Sequence, residues 1–487
     1  MLSPLIRRAP KDAGHCSRQC GFTMAFVAIT MVAIISMAAL SIDLGTLYEA
    51  KAEAQRAADA AALAAAQVIS TSGITTDPTN GPTDGSWSAA CGASGLATLA
   101  ASNVANQNLI GGNAPSTVNV YYGTSSGVGI ITDCTAAGAA FGVNPVVEVY
   151  VQQANLPTFF ARIFSLIPGG TFSNSGVSAT AAAEAFNPSG TATSTMIPVQ
   201  PRCVKPWMVP NQDPGHGAAS FVTASTGSLT NPGTSTAGVI GETFSLVPDC
   251  SGSSGGRRGR PCTLANPPQA NGAAGTGNLD YVPGQVSSSS IAVAANSKIG
   301  ACSEATRNDY TKAVAGCDQS TIYACGVSGA NTVDLSEDPG PFRNDSVNAA
   351  ACLINASANG PDQGQDVLAP DNPPAPYTYP FQINAGTNSA LLATGITSGS
   401  QITNSPSIVS LPIYDNTVAI KPTGTTFVTV VGFLQVFINS VNSGTGAISV
   451  TVMNIAGCGN TVGSGTTPVY GTSPVPVRLI TPPVATP

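Results

Sequence analysis

Between Phe22 and Ile42 the chain runs for 21 residues without a charge. At about 1.5 Å per residue a helix of that length crosses roughly 30 Å, the thickness of a bilayer core. No proline or glycine interrupts residues 46–70, and alanine is the strongest helix former, so the pattern predicts that the same helix continues for about seven further turns. Leu47, Ala50, Ala54, Ala57, Ala61, Ala64 and Val68 step by three and four along it, forming a heptad-like seam. Glu49, Glu53, Arg56 and Gln67 occupy the opposite side. Alanine removes little surface from water, but it lets another backbone approach closely, as small residues do between membrane helices. Two readings of the alanines stay open: a helical spacer, or a packing seam.

The periodicity then changes. TSGITTDPTNGPTDGS at 71–86 reads as a flexible, turn-rich linker. Residues 88–107 read as a helix, 117–123 and 145–153 as strands of alternating character, TFFARIF at 158–164 as a short helix, and SGVSATAAAEAF as a further strand. That order predicts a small α/β module across 87–187, with one sheet face buried against helices. Residues 188–380 show sparse apolar periodicity and many cysteines, and predict a loop-heavy region with one short helix at 310–315. From 381 to 458 the pattern is β-rich, with consecutive strands at 426–438 and 447–455 around an Asn-Ser-Gly-Thr-Gly turn. The tail, 459–487, reads as a surface-running or mobile end. The fold class expected is therefore α+β: a long N-terminal transmembrane helix with an alanine-rich extension (43–70), a small α/β module, and a mainly β, disulfide-supported exported region.

Composition sharpens this picture. Charged residues make up only 9% of the 487, against about a quarter in ordinary soluble domains. The net charge is −7, which excludes nucleic acid as a partner, since phosphate binding needs clustered Lys and Arg. The one basic cluster beyond the apolar run, Arg257, Arg258 and Arg260, lies in a Gly/Ser stretch and reads as a solvated loop. Cys16 and Cys20 precede the apolar run; Cys91, Cys134, Cys203, Cys250, Cys262, Cys302, Cys317, Cys325, Cys352 and Cys458 follow it. An even set beyond a membrane segment suits an oxidising compartment and disulfides. Their connectivity is not legible from spacing, apart from a candidate staple between Cys91 and Cys134 within one module.

Arg7, Arg8, Lys11 and Arg18 lie before the apolar run, in the basic segment 1–21, and Asp43 and Glu49 follow it. This asymmetry places the N-terminus in the cytoplasm and the bulk outside, with residues 22–42 in the lipid bilayer. A cleaved signal would have a shorter apolar core, although Ser36-Met37-Ala38 offers a small-x-small site. Gly21-Phe22 resembles the junction cut by prepilin peptidases, but Phe26 stands where prepilins carry a glutamate.

The order SIDLGTLYEAKAEAQRAADAAALAAA closely resembles the N-terminal segment of TadG-like proteins of the Flp (Tad) pilus-assembly system. The matching positions are Asp43, Gly45, Tyr48, Lys51, Gln55, Asp59 and Leu63. Similar stretches continue at 158–164, 176–185, 203–211, 407–415 and 428–438. The resemblance implies a non-enzymatic, inner-membrane-anchored component of pilus assembly or tight adherence, with other pilus-assembly or pilin-like membrane proteins as partners and no cofactor. Rival readings are a surface adhesin or pseudopilin released from the membrane, and an exported binding protein or enzyme.

No metal or catalytic site is expected. Some TadG-like proteins carry a von Willebrand A metal motif; Asp334 to Asp338 is the nearest stretch here, but it lacks the final serine, follows a poor buried strand and reads as a turn. The chain has two histidines, and His216, in DPGHGAAS, reads as a surface-loop residue.

Overall fold

The computed structural model describes residues 20–76, 87–124, 127–128, 131–158, 160, 175–187, 199–231, 238–248, 270–271, 277–287, 291–293, 299–334, 343–369, 380–417, 419–421, 425–458, 469–471 and 473–482. The 158–164 segment expected as a short helix, the three arginines at 257–260, and Cys16, Cys250 and Cys262 fall largely or wholly outside them.

Helix α1 spans Cys20–Thr71, 52 residues without a break. Its two halves live in different surroundings. An 18-residue stretch near its start has a mean hydropathy of 2.4 and no residue covered by protein; Met24, Phe26, Ile29 and Val32 are all exposed. Thr30, Ser36 and Ser41 donate their hydroxyls to carbonyls one turn back, which removes the polar cost of carrying them in an apolar stretch. The second half is embedded in the first module. Helices α2 (Ser88–Cys91) and α3 (Leu96–Gln107) follow, in place of the single helix expected at 88–107; Gly92 and Gly95 lie in the gap, where an added Cβ would meet backbone at 2.6 Å.

Strands β1 (Thr117–Thr124), β2 (Gly127–Val128), β3 (Pro145–Leu156) and β4 (Ser175–Ala185) form an antiparallel sheet. Successive side chains point to opposite faces of a strand, so Val147, Val149 and Val151 on β3 and Ala179, Ala181 and Ala183 on β4 share one face with the buried alanines of α1. Small residues on both surfaces let helix and sheet approach closely. Cys91 and Cys134 are disulfide-bonded, beside Trp87, Tyr122 and Phe141, whose rings meet at 5.9 Å.

The region 188–380 is more ordered than its sequence predicts. It contributes β5 (Val199–Pro201), β6 (Trp207–Pro210), β7 (Thr243–Pro248), β8 (Ala270–Asn271), β9 (Asn278–Pro283), β10 (Asn331–Asp334), β11 (Val367–Ala369) and helices α4 (Asp309–Ala315) and α5 (Arg343–Leu353). The β-rich part adds β12 (Gln382–Asn384), β13 (Gln401–Ile402), β14 (Ile408–Tyr414), β15 (Thr425–Val428), β16 (Val430–Asn442) and β17 (Ala447–Gly457). One sheet draws from both regions, in the order β6-β14-β16-β17-β7-β9-β8, and β6 also pairs with β9. The ring of six strands therefore closes on itself, which protects its edges. Described strands of 188–380 and 381–458 thus share one sheet. Its long strands are legible; WMVP, TFSLVP and NLDYVP are too short to show a period, and become strands because distant partners claim their backbone groups.

Three further disulfides tie this body: Cys203–Cys317, Cys302–Cys352 and Cys325–Cys458. Buried Lys205, two residues after Cys203, donates to the carbonyls of Gly316 at 2.5 Å and Ala313 at 3.4 Å, capping the end of α4. Burial lowers its pKa to about 7.

The tail differs from expectation too. β18 (Val469–Gly471) pairs with β5, and β19 (Val477–Ile480) returns to the first sheet as the neighbour of β4. Arg478 holds Glu184 at 2.9 Å and stacks over Phe186. Nor is the start of the linker loose: Ser72, Gly73, Ile74 and Thr75 are buried, with Gly73 at φ +87 against Ile240 and Met453.

Candidate functional site

The residues that carry the family resemblance lie along α1 where it leaves its apolar half and meets the folded body. Asp43 is buried, and its Oδ2 accepts the backbone N–H of Phe160 at 3.0 Å. Lys51 donates to the carbonyl of Ser178, and Gln55 to that of Thr180 at 3.3 Å. Both carbonyls lie on β4 before the four residues, 182–185, that pair with β19, so two motif side chains bond backbone that β19 does not reach. Gln55 also donates to Asp59 at 2.8 Å, which fixes the amide orientation. Leu63 is half-buried against the same core.

Gly45 and Tyr48 behave differently. Tyr48 is 75% exposed. A Cβ added at Gly45 would meet nothing within 4 Å, so contacts within this chain do not require a glycine there. Leu44 and Ile42, beside them, are also exposed. The motif thus divides into residues that bind the helix to its own module and residues that face outward just beyond the apolar half.

Of the seam, Ala50, Ala54, Ala57, Ala61 and Val68 are buried and Leu47 and Ala64 half-buried. Their partners are β3, β4, β19 and α3 of the same chain. Ala58, Ala62, Ala65 and Ile69 are buried too, giving a stripe wider than a two-helix seam and suited to lying across a sheet. Glu53, expected opposite the seam, instead flanks it: it accepts the N–H of Gly111 at 2.7 Å, at the edge of a cleft of about 300 Å³ lined by the seam residues Leu47 and Ala50 and by Leu156.

The far end of α1 is fixed by a buried polar network. Asn454 on β17 donates to the carbonyl of Ser70 at 2.5 Å and to Gln435 Oε1 on β16 at 2.7 Å, and Thr75 bonds its Oδ1 at 3.2 Å. Gln435 in turn donates to Ser473 in the tail at 2.8 Å. Each of these groups is buried, so each bond avoids a desolvation cost. One helix, the ring of strands and the C-terminal return therefore share one junction, and sequence gave no local signal of it.

A second cluster was not legible either. The structure half-buries His216 beside two buried carboxylates: its Nδ1 lies 2.7 Å from Asp213 Oδ2 and 2.9 Å from Glu242 Oε1. Burial, then the neighbouring Asp213, push the Glu242 carboxyl up to about 10. Asp334 ends strand β10, so GANTV supplies a real strand; residues 335–338 lie outside those described. The cysteines at 91, 134, 203, 302, 317, 325, 352 and 458 all sit in the four disulfides named above.

These features define a class: an α+β body stapled by disulfides, carried on one N-terminal helix apolar and long enough to span a membrane. Residues 21–68 match the family model described as putative Flp pilus-assembly TadE/G-like. The match supports a TadG-like Flp pilus-assembly family, and it covers the stretch of α1 that bears the motif. No curated protein and no solved structure matches the chain. The Tad-like segment points to involvement in Flp/Tad pilus assembly.

Proposed function

We propose that this chain is a non-enzymatic structural component of Flp/Tad-type pilus assembly or tight adherence. Residues 22–42 anchor it in the bacterial inner membrane, the N-terminus is cytoplasmic, and the disulfide-stapled bulk lies in the periplasm or beyond. One observation carries the reading: α1 passes without interruption from a fully exposed apolar half into a half seated on its own module. At about 1.5 Å per residue it is a rod of roughly 78 Å. No joint separates anchor from body, so a force or position imposed on one is transmitted to the other. The outward-facing Gly45 and Tyr48, at the boundary, are where another membrane helix of the assembly would meet it.

The test is photocrosslinking in cells that make the full Flp/Tad machine. A photoreactive residue replacing Tyr48 should give adducts with membrane proteins of that machine, and these should vanish when the machine is deleted. The same residue at exposed Thr397 serves as the comparison. Equal adducts at both positions, or adducts that survive the deletion, would refute the assignment.

A further inference from the structure

We propose that Asp213, His216 and Glu242 form a binding site for a divalent transition cation of the zinc class, a structural clasp within the exported body and a departure from the metal-free reading of the sequence. The ligand atoms of the three residues lie within 4.8 Å of one another. Two carboxylate oxygens converge on one ring nitrogen, at 2.7 and 2.9 Å from His216 Nδ1. That nitrogen carries at most one hydrogen, and its hydrogen bond is to Asp213 Oδ2.

Glu242 supplies the second, independent observation. Its side chain is 2% exposed, and both its carboxylate oxygens are buried without a hydrogen bond. A buried carboxyl group whose one close polar neighbour, His216, is shared with Asp213 is costly. Asp213 and Glu242 bring two buried carboxyl groups to one imidazole nitrogen that can satisfy only one of them, and a divalent cation would bind all three groups at once. Imidazole with carboxylate oxygens suits zinc or a similar borderline ion. Metal bonds of about 2.0–2.1 Å in a tetrahedron put ligand atoms roughly 3.3 Å apart, so the two short separations need open by only about half an ångström.

The frame around the site is fixed from both sides. Asp213 and His216 sit on the loop after β6, where Asp213 Oδ1 accepts the Gly215 N–H at 2.9 Å and the Asp213 N–H donates to Ala219 at 2.6 Å. Gly217 and Ala218 take positive φ to close the loop. Glu242 immediately precedes β7, and its carbonyl accepts the N–H of Val452 on β17 at 2.9 Å. A Cβ at Gly215 would come within 2.2 Å of the Glu242 carboxylate, so glycine is needed there for Glu242 to reach the site. A bound ion would join the β6 loop to β7, with water filling the remaining coordination position.

The test uses the full chain in detergent, oxidised, with free thiols alkylated so that cysteine cannot bind metal. After chelation and dialysis, zinc chloride is titrated by calorimetry and cobalt chloride by visible absorption. One equivalent of zinc should bind, cobalt should give a tetrahedral absorption band, and thermal stability should rise on zinc addition. Glu242→Gln and His216→Gln should each weaken binding at least about 100-fold. Glu242→Gln keeps the size and shape of the side chain, so its metal-free form should fold and melt close to wild type; His216→Gln provides the second reading if it does not fold. Zinc binding that is absent at 100-fold excess, or that survives both substitutions, overturns the proposal.

Discussion

Replacing Ala57 and Ala61 of α1 with leucine tests how the helix is held. Both are fully buried, in the core of small residues that α1 shares with α3, β3 and β4. Each substitution adds three carbons to a surface packed with small residues on both sides, and overpacking of this kind costs about 1–3 kcal/mol per site. The two sites are one turn apart and share neighbours, so their costs need not add; about 2–4 kcal/mol is expected for the pair. Helix propensity cannot explain such a loss, because leucine ranks just below alanine. Ala52→Leu, on the exposed side, should stay within about 0.5 kcal/mol of wild type. The chain has two tryptophans, and they report separately: Trp87 lies in the core under α1 and Trp207 in the core of the strand ring. In a Trp207→Phe background, Trp87 fluorescence follows the first module during urea unfolding in detergent. With a urea slope of about 2 kcal/mol per molar, the double variant should unfold at about 1–2 M less urea. Equal midpoints for Ala57→Leu/Ala61→Leu and Ala52→Leu would show that the alanines are not packed in that core.

Three other outcomes are expected. Asn454→Ala should lower stability by about 1–3 kcal/mol, because it strips partners from the Ser70 carbonyl, Thr75 and Gln435; an Asn454→Ala chain that melts like wild type would remove the junction from the account. Breaking the staple by Cys91→Ser/Cys134→Ser should cost about 2–4 kcal/mol in the Trp87 transition, and an unchanged midpoint would show the bridge contributes nothing. Lys205 is pushed down to about 7 from its ordinary 10.5, so between those values the unfolded chain binds the extra proton and stability should rise with pH. That rise, read as the difference between wild type and Lys205→Met in melts from pH 6.5 to 10, should be absent from the variant; parallel profiles would refute it.

Much of the fold could be read locally. The absence of glycine and proline from residues 46–70 foretold a helix, and β16 and β17 announced themselves by long apolar runs around a glycine turn. Cys91 and Cys134 flank strands of one module, and they pair. What escaped was set by distance along the chain. β6 finds β14 some two hundred residues later, and β19 finds β4 after nearly three hundred; no local period records such pairings. The seam illustrates a different limit. Its spacing left a spacer and a packing face both open, and i, i+3 and i+4 steps serve a sheet as well as a second helix. His216 was obscured for a third reason: its partner Glu242 comes from another loop, and Gly215 makes room for a side chain that sequence order does not place nearby.

The central claim is that α1 crosses the inner membrane and holds the folded body outside the cytoplasm. A membrane-impermeant maleimide applied to osmotically opened but unlysed cells tests it, using Thr397→Cys, an exposed position of the body, and native Cys16 ahead of the helix. Peptide mapping should find residue 397 labelled before the inner membrane is broken and Cys16 labelled only afterwards. Labelling of residue 397 only after lysis would contradict the account.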